Sequence, residues 1–214
     1  MKYDHIIPLG EECYTCGSID SKFNTISLRN CAFPFDYVGH VYIETILEKC
    51  RELLLHTSKE SVTPGSFNIK LFGENYFFSD ASYNFHYWHD ITHKDRGLFT
   101  DAEIAGFVEK YNRRYDRLLH AIECNAPVLF ISVNHYDNIY NRVYKKDKLI
   151  ELYDLLYKHN PNMHFLAVNY HPDPFTHNTL THVVLKSESD IEFSASKNNF
   201  TTLLNKYMLD FLKK

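Results

Sequence analysis

Residues Pro127–Val133 read PVLFISV, and this stretch decides the fold. A proline opens it, and no charge interrupts the run that follows. A strand with one wet face alternates apolar and polar residues. An unbroken apolar run with β-branched and aromatic members instead fits a strand covered on both faces, the habit of parallel sheets. On its N-terminal side, Thr100 or Asp101 can cap a helix with Glu103 in its first turn, running to about Glu123. On its C-terminal side, Lys146 to His159 is amphipathic with helical spacing and Pro161 stops it. HFLAVN at 164–169 is a second buried-strand run, and His182 to Lys186 reads as a third. A closing helix is expected over 198–213. Strands alternating with helices are the signature of right-handed βαβ units. The expected fold is α/β, with a mainly parallel sheet flanked by helices in a Rossmann-like three-layer arrangement.

The first half of the chain adds an opening strand at 3–9, a helix at 11–22, and a loop at 24–39 carrying Leu28, Arg29 and Phe33-Pro34-Phe35-Asp36-Tyr37. A helix is expected over about 40–55, where Val41, Ile43, Ile46, Leu47, Leu53 and Leu54 recur with a helical period. Thr63-Pro64-Gly65-Ser66 is a turn signal. Between 67 and 93, aromatic and polar residues alternate (Phe67, Ile69, Leu71, then Phe85, Tyr87, His89, Ile91), which predicts short strands or a small aromatic hairpin insertion. No internal repeat, low-complexity tract or linker divides the chain, so one α/β domain over 1–214 is expected.

The 214 residues are 44% hydrophobic, enough for one sizeable core. A net charge of −4 and a pI near 6.3 offer no basic surface for nucleic acid. No apolar stretch approaches the roughly 20 residues of a membrane helix, so no membrane partner is expected. Lys2, Asp4 and His5 surround a short apolar run with no small-residue cleavage site, so no secretion signal is read. The five cysteines (Cys13, Cys16, Cys31, Cys50 and Cys124) are an odd count and no disulfide framework, which suits a reducing, cytoplasmic compartment.

Cys13 follows the first strand as Leu9-Gly10-Glu11-Glu12-Cys13, where a strand hands over to a helix. Helix N-termini carry unpaired N–H groups and partial positive charge, which favour a thiolate. A nucleophilic Cys13 needs a base, and His89, His135 and His171 are the candidates in order along the chain. The competing reading is an inert buried thiol. Cys13 and Cys16 also form C-x-x-C, without the flanking residues of a redox pair. The segment Asn84–Asp95, NFHYWHDITHKD, carries His86, His89, Asp90 and His93. As a helix these would share a face and could bind metal; as extended chain His89 and His93 part from His86 and Asp90, and no metal site is expected. His89 with Asp90 is then an acid–base element. Asp36 is held between Pro34 and aromatic neighbours, placed to orient a base or to cap the next helix. Arg113, Arg114 and Arg117 lie within one turn of the predicted helix, suited to phosphate or carboxylate, or to a structural network with Glu109, Asp116 or Asp36. Parallel sheets bind ligands beyond the carboxyl ends of their strands. There the chain carries Gly10, Glu12 and Cys13, then Asn134 and His135, then Asn169 to His171. Gly10, Glu12, Arg113, Arg114, Arg117 and His135 are the candidate ligand-binding positions. Walker, GxGxxG, GxSxG and HExxH motifs are absent.

LGEEC after a strand, then PFDY, WHD, YNRRYDRLL and VLFISV occur in that order over about residues 3–135. This resembles a family of bacteria and large DNA viruses assigned by prediction to the papain-like cysteine peptidases, with the pattern SLGxxC, PFDW, FxHD and RRxxR. Pro8 stands where that family often has Ser, and Tyr37 where it often has Trp. The resemblance implies Cys13 as nucleophile, His89 as general base and Asp36 or Asp90 as orienting carboxylate. It also implies a papain-like α+β fold as the alternative architecture, which a parallel sheet would exclude.

The expected function is a thiol-dependent hydrolase or acyl-transferase acting on an amide or peptide-type bond, without cofactor, on a peptide or small-molecule substrate. Two alternatives stand beside it. One is a transferase-like binder of a phosphorylated or nucleotide-sugar ligand through Arg113, Arg114 and Arg117. The other is a non-catalytic interaction module using the aromatics of 72–88.

Overall fold

The structure, a computed structural model, describes residues 3–9, 33–35, 38, 42–55, 62–87, 90, 92–93, 99–134 and 145–184. Its main sheet holds β1 (His5–Pro8), β5 (Val128–Val133), β6 (His164–Val168), β8 (Leu180–Val183) and β7 (Phe175–His177), side by side in that order. The first four are parallel and β7 runs antiparallel to β8. Among the described residues the α-helices are α1 (Ile43–Leu55), α2 (Asp101–Glu123) and α3 (Lys146–His159).

The register explains the core. Ile7 pairs with Phe130, Phe130 with Phe165, and Phe165 with Leu180, so one row of large apolar side chains crosses the sheet. That row belongs to the same buried cluster as Ile46 and Leu47 of α1, Tyr111, Tyr115 and Leu118 of α2, and Leu152 and Leu156 of α3. Parallel strands added in chain order with right-handed crossovers place their connecting helices on one face. The three helices accordingly share that one core. The alternate residues Ile6, Leu129, Ile131, Val133, Leu166 and Val168 point to the other face and are equally buried. The sheet is therefore covered on both faces, as the unbroken VLFISV run requires.

Local signals set the helix ends. Thr100 caps α2: its hydroxyl accepts from the Glu103 amide (3.3 Å), and the Glu103 carboxylate accepts from the Thr100 amide (2.7 Å). α3 ends at His159, and the buried Asn160 side chain then donates to the carbonyls of Ala121 (3.2 Å) and Ala126 (3.0 Å), tying the α3 exit to the α2–β5 link.

The aromatic insertion is a small antiparallel sheet of β2 (Phe67–Phe72), β3 (Asn75–Asp80) and β4 (Thr92–His93), in that order. Phe72 pairs with Asn75 across the two-residue turn Gly73-Glu74, and Gly73 takes φ +61°, a conformation glycine adopts without a Cβ penalty. Phe67, Phe78 and Tyr87 seat this sheet on Phe107 of α2, with ring centroids 5.2, 4.5 and 5.0 Å away.

One expectation changes. The third buried run, expected at His182–Lys186, is a strand at Leu180–Val183 instead. Its N-terminal shift follows from β7, which the sequence reading missed. β7 turns back through Asn178-Thr179, with Asn178 in the left-handed region (φ 51°), and pairs His177 with Leu180. Three residues are too few to display a period. The helices expected at 11–22 and 198–213 lie outside the described residues. Among the described residues no helix is long and apolar enough to cross a membrane.

Candidate functional site

Of the expected site residues, Asp90, Arg113, Arg114 and Arg117 are described; Cys13, His89, Asp36, Gly10, Glu12 and His135 lie outside the described residues. The geometry below belongs to the residues that flank them in the chain.

Asp90 docks the histidine-rich segment onto α2. Lys110 pairs with its Oδ1, and the Tyr111 hydroxyl donates to its Oδ2. Arg114 stands 4.0 Å from Oδ2, donates to the Tyr111 hydroxyl oxygen (3.1 Å), and lies over the Tyr111 ring at 4.9 Å. The Asp90 amide closes a turn onto the Tyr87 carbonyl (3.2 Å), and the buried Tyr87 ring meets Tyr111 edge-on at 4.5 Å. Both carboxylate oxygens are thus committed to α2. Asp90 is an anchor for the segment that carries His89. Burial holds the Lys110 ammonium below its usual range, with Arg114 and Arg113 repelling it further.

The height of this anchor follows from the helix rise. Tyr111 lies twelve residues before Glu123, about 18 Å along α2. From the end of α2 the chain crosses a short link and climbs β5, which spans about 20 Å. Asp90, Tyr111 and Arg114 therefore sit near the level of the carboxyl ends of the strands, where ligands bind in parallel sheets.

Below the anchor lies a second buried polar group. Lys49, 4% exposed, pairs with Glu52 (3.0 Å) and lies over the rings of Tyr115 (5.1 Å) and Tyr83 (5.5 Å). Tyr83 donates to Glu52 (3.0 Å). The Asp80 carboxylate accepts from the amides of Ser82 (2.9 Å) and Tyr83 (2.7 Å), and burial raises its pKa against those bonds. Phe35 packs edge-on to Phe85 (5.5 Å) and Tyr115 (6.3 Å). The residue preceding Asp36 is therefore seated on the same α2–hairpin core as Asp90.

At the sheet's carboxyl edge three strand exits are cross-linked. The Leu9 amide donates to Ile131 (2.7 Å), prolonging the β1 ladder. The buried Ser132 hydroxyl donates to the Leu9 carbonyl and shares a 2.6 Å hydrogen bond with the Tyr170 hydroxyl. Asn134 donates to the Asn169 carbonyl (3.0 Å), with Asn169 itself in the left-handed region (φ 65°). His182, 1% exposed, accepts at Nε2 from the amides of Tyr170 (2.9 Å) and His171 (3.2 Å), and its ring stacks on Phe175 at 4.7 Å. Burial pushes its pKa down to about 4. The sequence reading passed over His182 as part of an apolar run. A histidine at an inward position of a buried strand was the available signal, because a buried imidazole needs hydrogen-bond partners.

The three arginines do not converge. Arg113 is exposed and pairs with Glu109, one turn back on α2. Arg114 is 12% exposed and turns to Tyr111 and Asp90. Arg117 is half-buried, and its buried Nε has no hydrogen-bond acceptor among the described residues. His86 rests on Phe77 (5.2 Å), and among the described residues no group of three metal-capable side chains forms. Phe77, Phe78, Phe85 and Tyr87 are buried, and among the described residues the exposed large apolar side chains of the hairpin are Ile69 and Leu71.

Neither a scan of protein-family models nor searches of curated proteins and solved structures found a match to this chain.

Proposed function

We propose that this protein is a thiol-dependent hydrolase or acyl-transferase of amide bonds, with Cys13 as nucleophile and His89 as its base. His89 takes the thiol proton, and the sulfur adds to the substrate carbonyl. Collapse breaks the C–N bond as imidazolium hydrogen protonates the leaving amine. Water, or an acceptor amine, then attacks the thioester with His89 again as base. This releases the acid or the new amide and restores the thiol. Backbone N–H groups at the start of the expected 11–22 helix would bear the oxyanion charge. Asp36 would orient His89, while Gly10, Glu12 and His135 would contact the substrate.

The observation that carries this reading is the docking of Asp90 on Lys110 and Tyr111. Its chain neighbour is His89. β1 leaves the sheet at Leu9, and Cys13 is the fourth residue beyond it, a tether of at most about 14 Å. Both proposed groups therefore hang on short tethers from fixed points. The chemistry is taken here without papain's architecture, since the main sheet is mainly parallel. A reducing, cytoplasmic setting suits a free thiol.

The test is turnover of a panel of fluorogenic peptide amides and isopeptides by wild type, Cys13→Ala and His89→Ala, with circular dichroism on each. The reading expects wild-type turnover on at least one substrate and none from folded Cys13→Ala. Wild-type-like turnover from Cys13→Ala would overturn it.

A further inference from the structure

We propose that the edge of β2 pairs with the same edge of a second copy of this chain, antiparallel, with Ile69 on the two-fold axis. The backbone shows which groups are available. The Phe78 carbonyl, opposite Ile69, accepts from the Tyr87 amide (3.0 Å), and the Asp80 amide, opposite Phe67, donates to the Phe85 carbonyl (2.9 Å). Phe78 and Asp80 thus turn their backbone groups away from β2. In an antiparallel ladder, facing residues that do not bond each other both point outward. Phe67, Ile69 and Leu71 therefore direct their amides and carbonyls away from β3, along the outer edge of the sheet. Among the described residues no backbone partner takes them.

This edge lacks the usual guards against pairing. β2 keeps unbroken register with β3 from Phe67 to Phe72, so it carries no bulge, and it contains no proline. Its one lysine, Lys70, alternates with the apolar residues and donates to the Asn84 side chain. Ile69 and Leu71, on the face shared with Phe67, are 42% and 57% exposed.

The strand's own sequence selects the occupant. A partner strand must be extended, apolar at alternate positions, and uncharged where it meets Ile69. β2 itself meets all three conditions. With Ile69 facing Ile69 of the second copy, Phe67 faces Leu71, and each exchanges both backbone hydrogen bonds with its opposite. Lys70 then faces Asn68. Sliding the pair by two residues in one direction sets Lys70 against its twin, a like-charge contact. Sliding it in the other carries Leu71 past the end of the strand, to Gly65. Pairing along one strand covers less than the about 1,200–2,000 Å² of a stable interface, so the dimer is weak and depends on concentration.

Sedimentation equilibrium of the full chain, from about 10 μM to about 1 mM, tests this. The wild type should dimerise reversibly within that range. Ile69→Lys sets two lysines face to face on the axis and should weaken the dimer by about tenfold or more, as should Ile69→Asp. The two variants mixed should pair with each other more tightly than either with itself, because residue 69 meets only its twin. Ile69→Pro removes an outward amide, leaves the β2–β3 ladder intact, and should abolish pairing; should it fail to fold, the charge pair decides. Leu55→Lys, at an exposed apolar residue of α1, should associate like wild type, and so should Cys13→Ala, which separates this result from the thiol chemistry. A wild type that stays monomeric throughout, including one that binds an unrelated extended peptide along β2, would overturn the proposal. So would a dimer indifferent to Ile69→Lys, or a mixture with no preference for the mixed pair.

Discussion

The imidazole of His182 accepts two consecutive backbone amides, those of Tyr170 and His171, at the carboxyl end of β6. A ring nitrogen that accepts cannot carry a proton, so His182 is held neutral with its hydrogen on Nδ1. Burial reinforces this and pushes the pKa down to about 4. The groups facing it include His171 and Lys146, both of which oppose protonation, and the Asp173 backbone, which favours it. A folded pKa below the unfolded value of 6.5 means full stability above pH 6.5, lost progressively as pH falls toward 4. His5 and His164, also lowered by burial, act in the same direction. The thermal midpoint should fall between pH 7 and pH 4.5, and His182→Gln should reduce that fall. An unchanged pH dependence in the variant would show that His182 does not titrate in this window.

Ser132 ties Leu9 of the β1 exit to Tyr170 of the β6 exit, entirely within the core. Ser132→Ala takes the donor from the buried Leu9 carbonyl and should cost about 1–3 kcal/mol. Urea denaturation measures it. A loss under about 0.5 kcal/mol would mean the carbonyl finds another donor.

Tyr111 donates to the Asp90 carboxylate and carries the Arg114 guanidinium on its ring. Tyr111→Phe keeps the ring and removes the donor, so about 1.5–3 kcal/mol of stability should be lost for a bond to a charged acceptor. Activity toward an amide substrate should fall further than stability accounts for, because the anchor of the His89 segment loosens. Equal activity in a folded Tyr111→Phe would separate the anchor from catalysis.

Thr100 and Glu103 cap α2 reciprocally. Thr100→Ala should cost about 1 kcal/mol by urea denaturation, and Thr100→Ser close to nothing. Equal losses in both variants would place the effect in packing.

Much of the fold could be read from local signals, and the exceptions have physical causes. α2 and α3 were bounded correctly because Thr100, Glu103 and Pro161 act within a turn of where they stand. VLFISV announced a doubly covered strand because burial on both faces removes alternation. β7 went unread because its three residues gain their conformation from pairing with β8 and not from their own pattern. The site was less legible. That Arg113 turns to Glu109 follows from helical spacing. That Asp90 meets Lys110 and Tyr111, or that His182 reaches the amides of residues 170 and 171, depends on tertiary distance, which order along the chain does not encode.

The central claim is that Cys13 is an activated nucleophile served by His89. The pH dependence of alkylation by limiting iodoacetamide, mapped to each cysteine by mass spectrometry in wild type and His89→Ala, tests it most directly. The account predicts that Cys13 reacts fastest, with an apparent pKa well below the roughly 8.5 of a free thiol, and that His89→Ala restores an ordinary value. Cys50, fully buried with its pKa pushed up to about 12, should stay unmodified and serve as the internal control. A slow Cys13, or one whose profile is the same without His89, would contradict the account.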